Sequence, residues 1–242
     1  MPESLTLSAQ DLHKTYGKRE VVKGISLNVH SGESVAILGP NGAGKTTCFY
    51  MMIGLVKPSE GSVFLNDADI THLPTHIRAR FGLGYLPQES SIFTGLTVEQ
   101  NILAALELFE PNKQTRLAKL ETLIDELKIS KVRKQNSTSL SGGERRRLEI
   151  ARCLAMSPSF ILLDEPFAGI DPVSVADVRE IVSHLKEKGI GVLITDHNVH
   201  ETLKMVDRVY IVYDGKILTE GHPSDIVNHH DVKKYYLGNS GH

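Results

Sequence analysis

A glycine-rich stretch near the N-terminus, GPNGAGKT at residues 39–46, has the residue types and spacing needed to hold phosphate groups. It fits the pattern GxxxxGK[ST] and lies between the apolar run 34–38 and a predicted helix. Glycines let backbone N–H groups turn toward phosphate oxygens, and the start of a helix adds positive potential. Lys45 can reach the β- and γ-phosphates of a nucleotide, and the Thr46 hydroxyl can bind Mg²⁺. The predicted nucleotide-binding residues here are Gly39, Pro40, Asn41, Gly42, Ala43, Gly44, Lys45, Thr46 and Thr47.

Two acidic residues end a second apolar run. The run FILL at 160–163 is followed directly by Asp164 and Glu165. Asp164 is expected to hold Mg²⁺, directly or through water. Glu165 is then placed to polarise an attacking water as a general base. Taken alone, Glu165 could equally cap the next helix, but the phosphate-binding pattern favours catalysis.

A third segment, LSGGE at residues 140–144, combines a serine, two glycines and an acid. Ser141 and Glu144 have the spacing of a capping box, which predicts a helix running through Met156. A glycine-lined helix start with a serine hydroxyl is also a second anion site, far along the chain from the first. The predicted anion-binding residues here are Ser141, Gly142 and Gly143.

The order of these three segments, with a histidine after the next strand, resembles the ABC ATPase family over nearly the whole chain. The resemblance implies an α/β fold with a P-loop NTPase core, an N-terminal antiparallel β subdomain and an inserted α-helical subdomain. It implies ATP and Mg²⁺ as cofactors, and ATP hydrolysis coupled to transport across a membrane.

The resemblance also assigns roles to single residues. Tyr16 falls where the family stacks an aromatic ring on adenine, although a tyrosine at a strand end can also serve packing alone. Gln88 matches a glutamine that touches Mg²⁺ and water, and His197 matches a histidine that contacts the γ-phosphate. Asp171 matches the loop that crosses the dimer interface, where 168–170 reads AGI instead of the frequent SAL and lacks one hydroxyl. The predicted catalytic residues are Lys45, Gln88, Glu165 and His197, and the predicted Mg²⁺ ligands are Thr46, Gln88 and Asp164.

A homodimer follows from the same resemblance. In the family arrangement, ATP on the loop 39–46 of one subunit is covered by Ser141 and Gly143 of the other. Two ATP molecules then lie at a two-fold interface. ATP binding favours the closed dimer, and hydrolysis removes the γ-phosphate that joins the halves.

Several strings resemble the ATPase subunits of bacterial lipopolysaccharide export systems more closely than other members of the family. They are LPQE at 86–89, the run 140–147 with three arginines, DEPFAG at 164–169, LITDHNV at 193–199 and YYLG at 235–238. This resemblance implies a two-subunit inner-membrane permease that handles the lipopolysaccharide, with the ATPase on the cytoplasmic face of that membrane. The alternatives are the ATPase of a branched-chain amino-acid importer and a soluble ABC ATPase acting on DNA or ribosomes. Against the last, no sustained heptads and no second copy of the motifs are visible.

Two surface features have open interpretations. In the segment 89–96, Ile92, Phe93 and Leu96 either form a groove for a short permease helix or close the core of the helical lobe. The three arginines at 145–147 are expected to form a solvated or interface face with their acidic neighbours, and nucleic acid is not expected as a partner.

The elements that position these residues follow from hydrophobic periodicity. Short β-like runs and helices alternate along most of the chain, which predicts a mostly parallel sheet covered on both faces. From 98 to 134 the leucines recur at helical spacing. We therefore expect one domain over 1–242, with an inserted helical subdomain at about 96–156 that carries LSGGE.

Bulk composition narrows the function further. A net charge of −2 gives no general attraction to nucleic acid or anionic lipid. No stretch approaches the roughly 20 apolar residues of a membrane span, so membrane association is expected through a partner. Cys48 and Cys153 are predicted to be small core residues, and no group of histidines has metal-ligand spacing.

Overall fold

The computed structural model describes residues 5–168 and 174–234 as two sheets, nine α-helices and two short 3-10 helices, Ser130–Val132 and Ser137–Ser139. The strands are β1 (Thr6–Tyr16), β2 (Arg19–His30), β3 (Ser34–Leu38), β4 (Glu60–Leu65), β5 (Ala68–Asp69), β6 (Leu83–Leu86), β7 (Phe160–Asp164), β8 (Gly191–Thr195), β9 (Arg208–Tyr213) and β10 (Lys216–Gly221). The helices are α1 (Lys45–Ile53), α2 (Thr75–Arg80), α3 (Val98–Phe109), α4 (Lys113–Glu126), α5 (Gly142–Leu154), α6 (Ser174–Glu187), α7 (Val199–Leu203), α8 (Pro223–Asn228) and α9 (His230–Val232).

A six-stranded sheet in the order β10-β9-β3-β8-β7-β6 forms the centre of the fold, with only β10 antiparallel to its neighbour. Every residue of β3, β7 and β8 is buried, as expected for strands covered on both faces. These three strands run parallel, and Asp164 pairs with Thr195 at their carboxyl ends. The loops that follow them therefore meet at one edge of the sheet, where ligands bind in open α/β sheets.

A second sheet, in the order β2-β1-β4-β5, is antiparallel throughout and confirms the predicted N-terminal β subdomain. β1 and β2 are much longer than the short runs expected from the sequence. The register of β1 against β2 shifts between Ala9 and Leu12 and again between Lys14 and Thr15. These irregularities interrupt the two-residue alternation, which is why sequence periodicity detects only parts of each strand.

The helical part is built from α3, α4 and α5, which pack on one another. Thr97 caps α3 through a capping box with Gln100, and Asn112 caps α4. The helical stretch predicted from 98 to 134 is therefore two helices, separated by Glu110 to Asn112. Leu117, expected in the apolar stripe, is instead exposed. A helical subdomain is confirmed, while its boundaries at about 96 and 156 stay a prediction.

The two faces of the central sheet contribute to separate apolar cores. Each core contains one of the two cysteines, Cys48 from α1 and Cys153 from α5. Both are free thiols in apolar surroundings, and burial raises the pKa of each to about 12. They are small core residues, as predicted.

One arginine is almost completely buried beneath the end of α1. The Arg78 side chain, on α2, reaches the main-chain carbonyl oxygens of four residues. These acceptors are Met51 at 2.9 Å, Met52 at 2.7 Å, Thr71 at 2.8 Å and Leu73 at 2.8 Å. Two of these carbonyls lie in the last turn of α1, where helix carbonyls have no partner within the helix and a positive charge is favourable. Arg78 thus stabilises the C-terminal end of α1, and the N-terminal end of the same helix follows the glycine-rich loop.

Candidate functional site

The glycine-rich loop turns sharply between β3 and α1. Gly39 has a φ of 150°, and a Cβ there would lie 2.0 Å from the carbonyl oxygen of Val212. Gly44 has a φ of 103°, and a Cβ there would lie 2.7 Å from the carbonyl oxygen of Val21. Only glycine fits at both positions, because any side chain would collide with backbone. The result is a cavity of about 150 Å³, lined by Val21, residues 41–47 and Glu165.

Lys45 lies folded back into this loop. Its Nζ donates hydrogen bonds to the carbonyl oxygens of Gly39 at 2.7 Å and Pro40 at 2.9 Å. Burial lowers the pKa of Lys45, while the nearby charge of Glu165 opposes that shift. Carbonyl groups of the loop therefore hold the ammonium group at the wall of the cavity where it is predicted to bind phosphate.

Asp164 lies at the end of β7 and is only 4% exposed. The hydroxyl of Tyr85 donates a hydrogen bond of 3.3 Å to its Oδ2. Burial raises the pKa of Asp164, and hydrogen bonds from Tyr50 and Tyr85 oppose the shift. Sequence reasoning missed both tyrosines, since neither is part of a recognisable motif. Strand alternation in β6 is the one signal that could have placed Tyr85 on the α1 side of the sheet.

Glu165 and His197 meet at the edge of the sheet. The Nδ1 of His197 lies 3.5 Å from Oε2 of Glu165, and the histidine ring is 60% exposed. Glu165 has a φ of 45°, which is uncommon for a residue with a side chain. Its N–H donates a 2.7 Å hydrogen bond to the carbonyl oxygen of Thr195, and this bond helps hold the strained conformation. The structure therefore brings together two of the predicted catalytic residues.

The Asp196 side chain stabilises this arrangement. The sequence motifs did not identify it as a functional residue. Its side chain is fully buried and accepts hydrogen bonds from the N–H groups of Phe167 at 2.9 Å and Asn198 at 2.7 Å. Burial raises its pKa, and these backbone hydrogen bonds oppose the shift. One carboxylate thus ties the loop after Glu165 to the loop that carries His197.

Gln88 lies in a neighbouring cavity of about 230 Å³. That cavity is also lined by Glu165, Gly142 and Arg146, so Glu165 faces both cavities. Gln88 is therefore close to the predicted base, but it does not line the cavity of the glycine-rich loop.

The LSGGE segment forms the start of α5. The Ser141 hydroxyl accepts from the N–H of Glu144 at 3.3 Å, and the Glu144 carboxylate accepts from the N–H of Ser141 at 2.9 Å. This capping box was predicted, and Ser141 and Gly142 are exposed. Neither Ser141, Gly142 nor Gly143 lines the cavity of the glycine-rich loop in the same chain. The two predicted anion sites of one chain are thus separate.

Two further predicted residues are less closely tied to the cavity. Tyr16 ends β1 and is 49% exposed, and the Lys14 ammonium lies 5.2 Å from its ring centroid. Its open face suits stacking, although it is not among the residues that line the loop cavity. Asp171 lies outside the described residues.

The donors that could hold Mg²⁺ are oxygen atoms. They are the Thr46 hydroxyl on the first turn of α1, the Asp164 carboxylate and the Gln88 amide. Among residues 5–168 and 174–234, no group of three or more His, Cys, Asp or Glu side chains is arranged to cage a metal. Mg²⁺ is usually held by one or two carboxylates together with substrate phosphates, so this donor set fits that ion.

The arginines at 145–147 were predicted to form a solvated or interface face with their acidic neighbours. Arg146 is 13% exposed and pairs with Glu149 at 3.0 Å. Arg147 is 14% exposed and pairs with Asp177 at 2.6 Å and Glu180 at 2.7 Å. Neither side chain is freely solvated, because Arg146 pairs with an acidic neighbour on α5 and Arg147 faces the carboxylates of α6. The interface alternative stays a prediction.

Comparison with known proteins identifies the class. The family described as "ABC transporter" matches residues 22–168, which is more than half of the chain. The ADP conformation of MJ1267, an ATP-binding cassette of an ABC transporter, superposes with a TM-score of 0.86 at 28% identity, covering 97% of this chain and 99% of that one. This chain belongs to the ABC transporter family and is one of its ATP-hydrolysing subunits.

Similarity to individual proteins is higher still. The lipopolysaccharide export system ATP-binding protein LptB of Acidithiobacillus ferridurans is 56% identical over 232 residues, 96% of each chain. LptB of Escherichia coli K12 is 52% identical over 234 residues, 96% of this chain and 97% of the relative. An uncharacterized ABC transporter ATP-binding protein of Rhizobium meliloti is 58% identical over 235 residues, 97% of this chain and 87% of the relative.

Proposed function

We propose that this chain binds ATP and Mg²⁺ as a homodimer and powers the export of lipopolysaccharide through an inner-membrane permease. The substrate assignment is supported by 52–56% identity to proteins named LptB over 96% of the chain. The chemical assignment rests on one observation: the Glu165 carboxylate lines the cavity of the glycine-rich loop while it lies 3.5 Å from His197.

In this proposal the glycine-rich loop holds the phosphates of ATP. Backbone N–H groups of residues 41–47 turn toward the phosphate oxygens, and the start of α1 adds its positive potential. Lys45 exchanges its bonds to the carbonyls of Gly39 and Pro40 for phosphate oxygens. The half-exposed ring of Tyr16 stacks on adenine.

Thr46, Asp164 and Gln88 would hold Mg²⁺. When held there, the ion would supply positive charge to neutralise the charge that develops on the phosphate oxygens. Tyr50 and Tyr85 orient the Asp164 carboxylate through their hydroxyl groups. Asp164 is almost fully buried at the end of β7, so its carboxylate is held in one direction.

Glu165 accepts a proton from the attacking water as general base. His197 contacts the γ-phosphate with a ring nitrogen and keeps the water and the phosphate in line. Asp196 holds both residues in place, because its carboxylate accepts hydrogen bonds from the two loops that carry them. Gln88 approaches Glu165 from the neighbouring cavity and links the core to the helical part.

A second copy of the chain completes each site. The LSGGE segment does not line the loop cavity of its own chain, and its exposed start at Ser141 and Gly142 is available to the ATP of a partner. The helix start attracts the γ-phosphate, so ATP joins the halves and hydrolysis releases them. Asp171 would cross the same interface.

Attachment to the permease is proposed through a groove beside α3. Phe93, Leu108 and Ala105 line a hollow of about 360 Å³ between α3 and α5. Ile92 packs against the apolar core, whereas the Phe93 ring is 49% exposed. These contacts support both interpretations of the segment 89–96, since Ile92 closes the core and Phe93 faces the groove.

Phe93→Ala should leave ATP hydrolysis by the isolated protein nearly unchanged and uncouple transport. Equal loss of both activities would favour a purely structural role.

Membrane association is proposed to come only from the permease and to place this chain on the cytoplasmic face of the inner membrane. The longest helices of the described ranges have 14 residues, and none of the described helices has the length and apolarity of a membrane span.

The catalytic assignment is tested by Glu165→Gln, with Glu187→Gln on the exposed face of α6 as control. The first variant should bind ATP, hydrolyse it about 100-fold more slowly and accumulate as an ATP-bound dimer. The control should behave like wild type. Wild-type turnover by Glu165→Gln would show that another residue acts as base.

The substrate assignment is tested by purifying the protein with its native membrane partners. ATPase activity is then measured with lipopolysaccharide, or with branched-chain amino acids and their binding protein. Recovery of a two-subunit permease carrying lipopolysaccharide supports the proposal. Recovery of an amino-acid permease would change the substrate, and recovery with ribosomes or DNA would overturn the transporter assignment.

A further inference from the structure

A charged cluster joins the helix that carries the LSGGE segment to α6. Arg147 lies one turn beyond Gly143 on the same face of α5. Its Nη2 lies 2.6 Å from Oδ1 of Asp177 and 2.7 Å from Oε2 of Glu180, both on α6. Arg147 is 14% exposed while Asp177 is 35% and Glu180 48% exposed, so the contact is shielded from water on the Arg147 side.

The other oxygen of Asp177 abuts the LSGGE segment itself. A Cβ added at Gly143 would lie 2.6 Å from Oδ2 of Asp177. A carboxylate therefore lies against the backbone of a residue that is proposed to face the γ-phosphate of the partner subunit's ATP. An unpaired negative charge at that place would repel the phosphate.

Glu180 completes the cluster on its exposed side. Lys128, just after α4, pairs with Glu180 at 2.5 Å. Hydrogen bonds from Lys128 and Arg147 lower the pKa of Glu180 to about 2, so the carboxylate stays charged at neutral pH. The two carboxylates and the two basic groups of the cluster carry equal and opposite charge. Arg147 contacts both carboxylates.

We propose that Arg147 is a positioning residue, which sets the LSGGE segment against α6 and neutralises Asp177 beside the surface that meets ATP of the partner subunit. This inference rests on the proposed ATP-dependent homodimer. Because α6 begins at Ser174, directly after the loop proposed to cross the interface, the contact also joins two elements that must meet the partner together.

We expect the loss of Arg147 to weaken the contact with the partner subunit's ATP and to leave ATP binding within the same chain normal. The cavity that binds ATP in the same chain contains neither Arg147 nor Asp177. Loss of Arg147 should therefore weaken ATP-dependent dimer formation and leave ATP binding by the monomer unchanged. A general folding defect would weaken both.

The test uses the full-length Glu165→Gln protein as parent, so that ATP-bound dimers persist. Arg147→Met, Asp177→Asn and the double variant are compared in this background by sedimentation with ATP. Binding of a fluorescent ATP analogue by the dilute monomer and thermal melting are measured alongside. The matched control is Lys188→Met, which breaks a 2.7 Å pair with Glu126 that also joins α4 to the end of α6 but lies away from LSGGE.

Arg147→Met should raise the dimer dissociation constant on the order of tenfold, the scale of coupling between contacting charged residues. Monomer binding should stay within about twofold, as should the Lys188→Met dimer. In the double variant, Asp177→Asn should recover part of this loss, because it removes the negative charge that Arg147→Met leaves unpaired beside Gly143. Arg147→Lys, which keeps the charge but loses the guanidinium fork, should fall between parent and Arg147→Met.

Three results would overturn the inference. One is an Arg147→Met dimer as tight as that of Lys188→Met, and another is strictly additive effects of the Arg147 and Asp177 changes. The third is parallel loss of monomer binding and melting temperature, which would make Arg147 a folding residue. If the parent itself forms no dimer with ATP, the proposed homodimer fails first, and that result is recognisable before any Arg147 variant is compared.

Discussion

Replacing Arg78 by methionine should destabilise the protein by about 3–5 kcal/mol, as expected when one partner of a buried charged contact is removed. Arg78 is 1% exposed and makes four hydrogen bonds of 2.7–2.9 Å to main-chain carbonyls. Methionine fills similar volume without any donor, so four buried acceptors lose a partner.

The magnitude follows from two opposing contributions. Hydrogen bonds to a charged group contribute about 1.5–3 kcal/mol each, so four of them give roughly 6–12 kcal/mol. Burial lowers the pKa of Arg78 to about 10, which corresponds to a cost of about 3 kcal/mol for the buried charge. The difference is roughly 3–9 kcal/mol. The lower part of that range is expected, because the Met51 carbonyl keeps a second donor, the N–H of Gly54 at 3.2 Å.

Urea unfolding followed by circular dichroism measures this change. With a slope of about 3 kcal/mol per molar urea, suitable for a chain of this size, the midpoint should fall by about 1–1.7 M. Arg80→Met is the matched control, because Arg80 is exposed on the same short helix. Its midpoint should move by no more than about 0.2 M, as for most surface changes. A loss below about 1 kcal/mol in Arg78→Met would show that water replaces the guanidinium, and the reasoning would be wrong.

Three further predictions address the site and its surroundings. Gly39→Ala should weaken ATP binding on the order of tenfold or more, measured by calorimetry, because its Cβ would meet the Val212 carbonyl at 2.0 Å. Asp196→Asn should lower the turnover number by about tenfold and leave the ATP affinity unchanged. The reason is that the amide oxygen can accept from only one of the two N–H groups that the carboxylate binds. A loss of ATP affinity instead would contradict this role. The hydrogen bond that the His13 ring donates to the Glu20 carboxylate raises the pKa of His13 above 6.5. This contact therefore stabilises the fold at low pH and is lost as pH rises through the higher folded value. Glu20→Gln should therefore lower the melting temperature at about pH 5.5 and change little at about pH 8.5, and the reverse pattern would refute the assignment.

Local patterns predicted the elements that carry the chemistry. Strand β3 has the bounds of the apolar run 34–38, because it is buried on both faces and bounded by a polar residue and a glycine. The glycine-rich loop and the pair Asp164 and Glu165 follow such strands directly, so their convergence at one sheet edge could be anticipated.

Contacts between distant parts of the chain could not be predicted in this way. Arg78 and Arg147 are charged residues on polar helices, a pattern typical of a solvated surface. Both are largely buried by partners far away in sequence, namely the carbonyls at the end of α1 and the carboxylates of α6. β10 was missed for a related reason, since an edge strand with polar residues lacks the apolar run that marks a central strand.

The burial of both cysteines makes this chain convenient for fluorescence work. Thiol reagents attack the thiolate, and a pKa of about 12 leaves almost none of it in Cys48 or Cys153 at neutral pH. A cysteine introduced at Leu108, which is 79% exposed and lines the proposed permease groove, would therefore be the one fast-reacting thiol of the chain without replacement of either native cysteine. A dye attached there would report on occupancy of the groove in an otherwise unaltered protein.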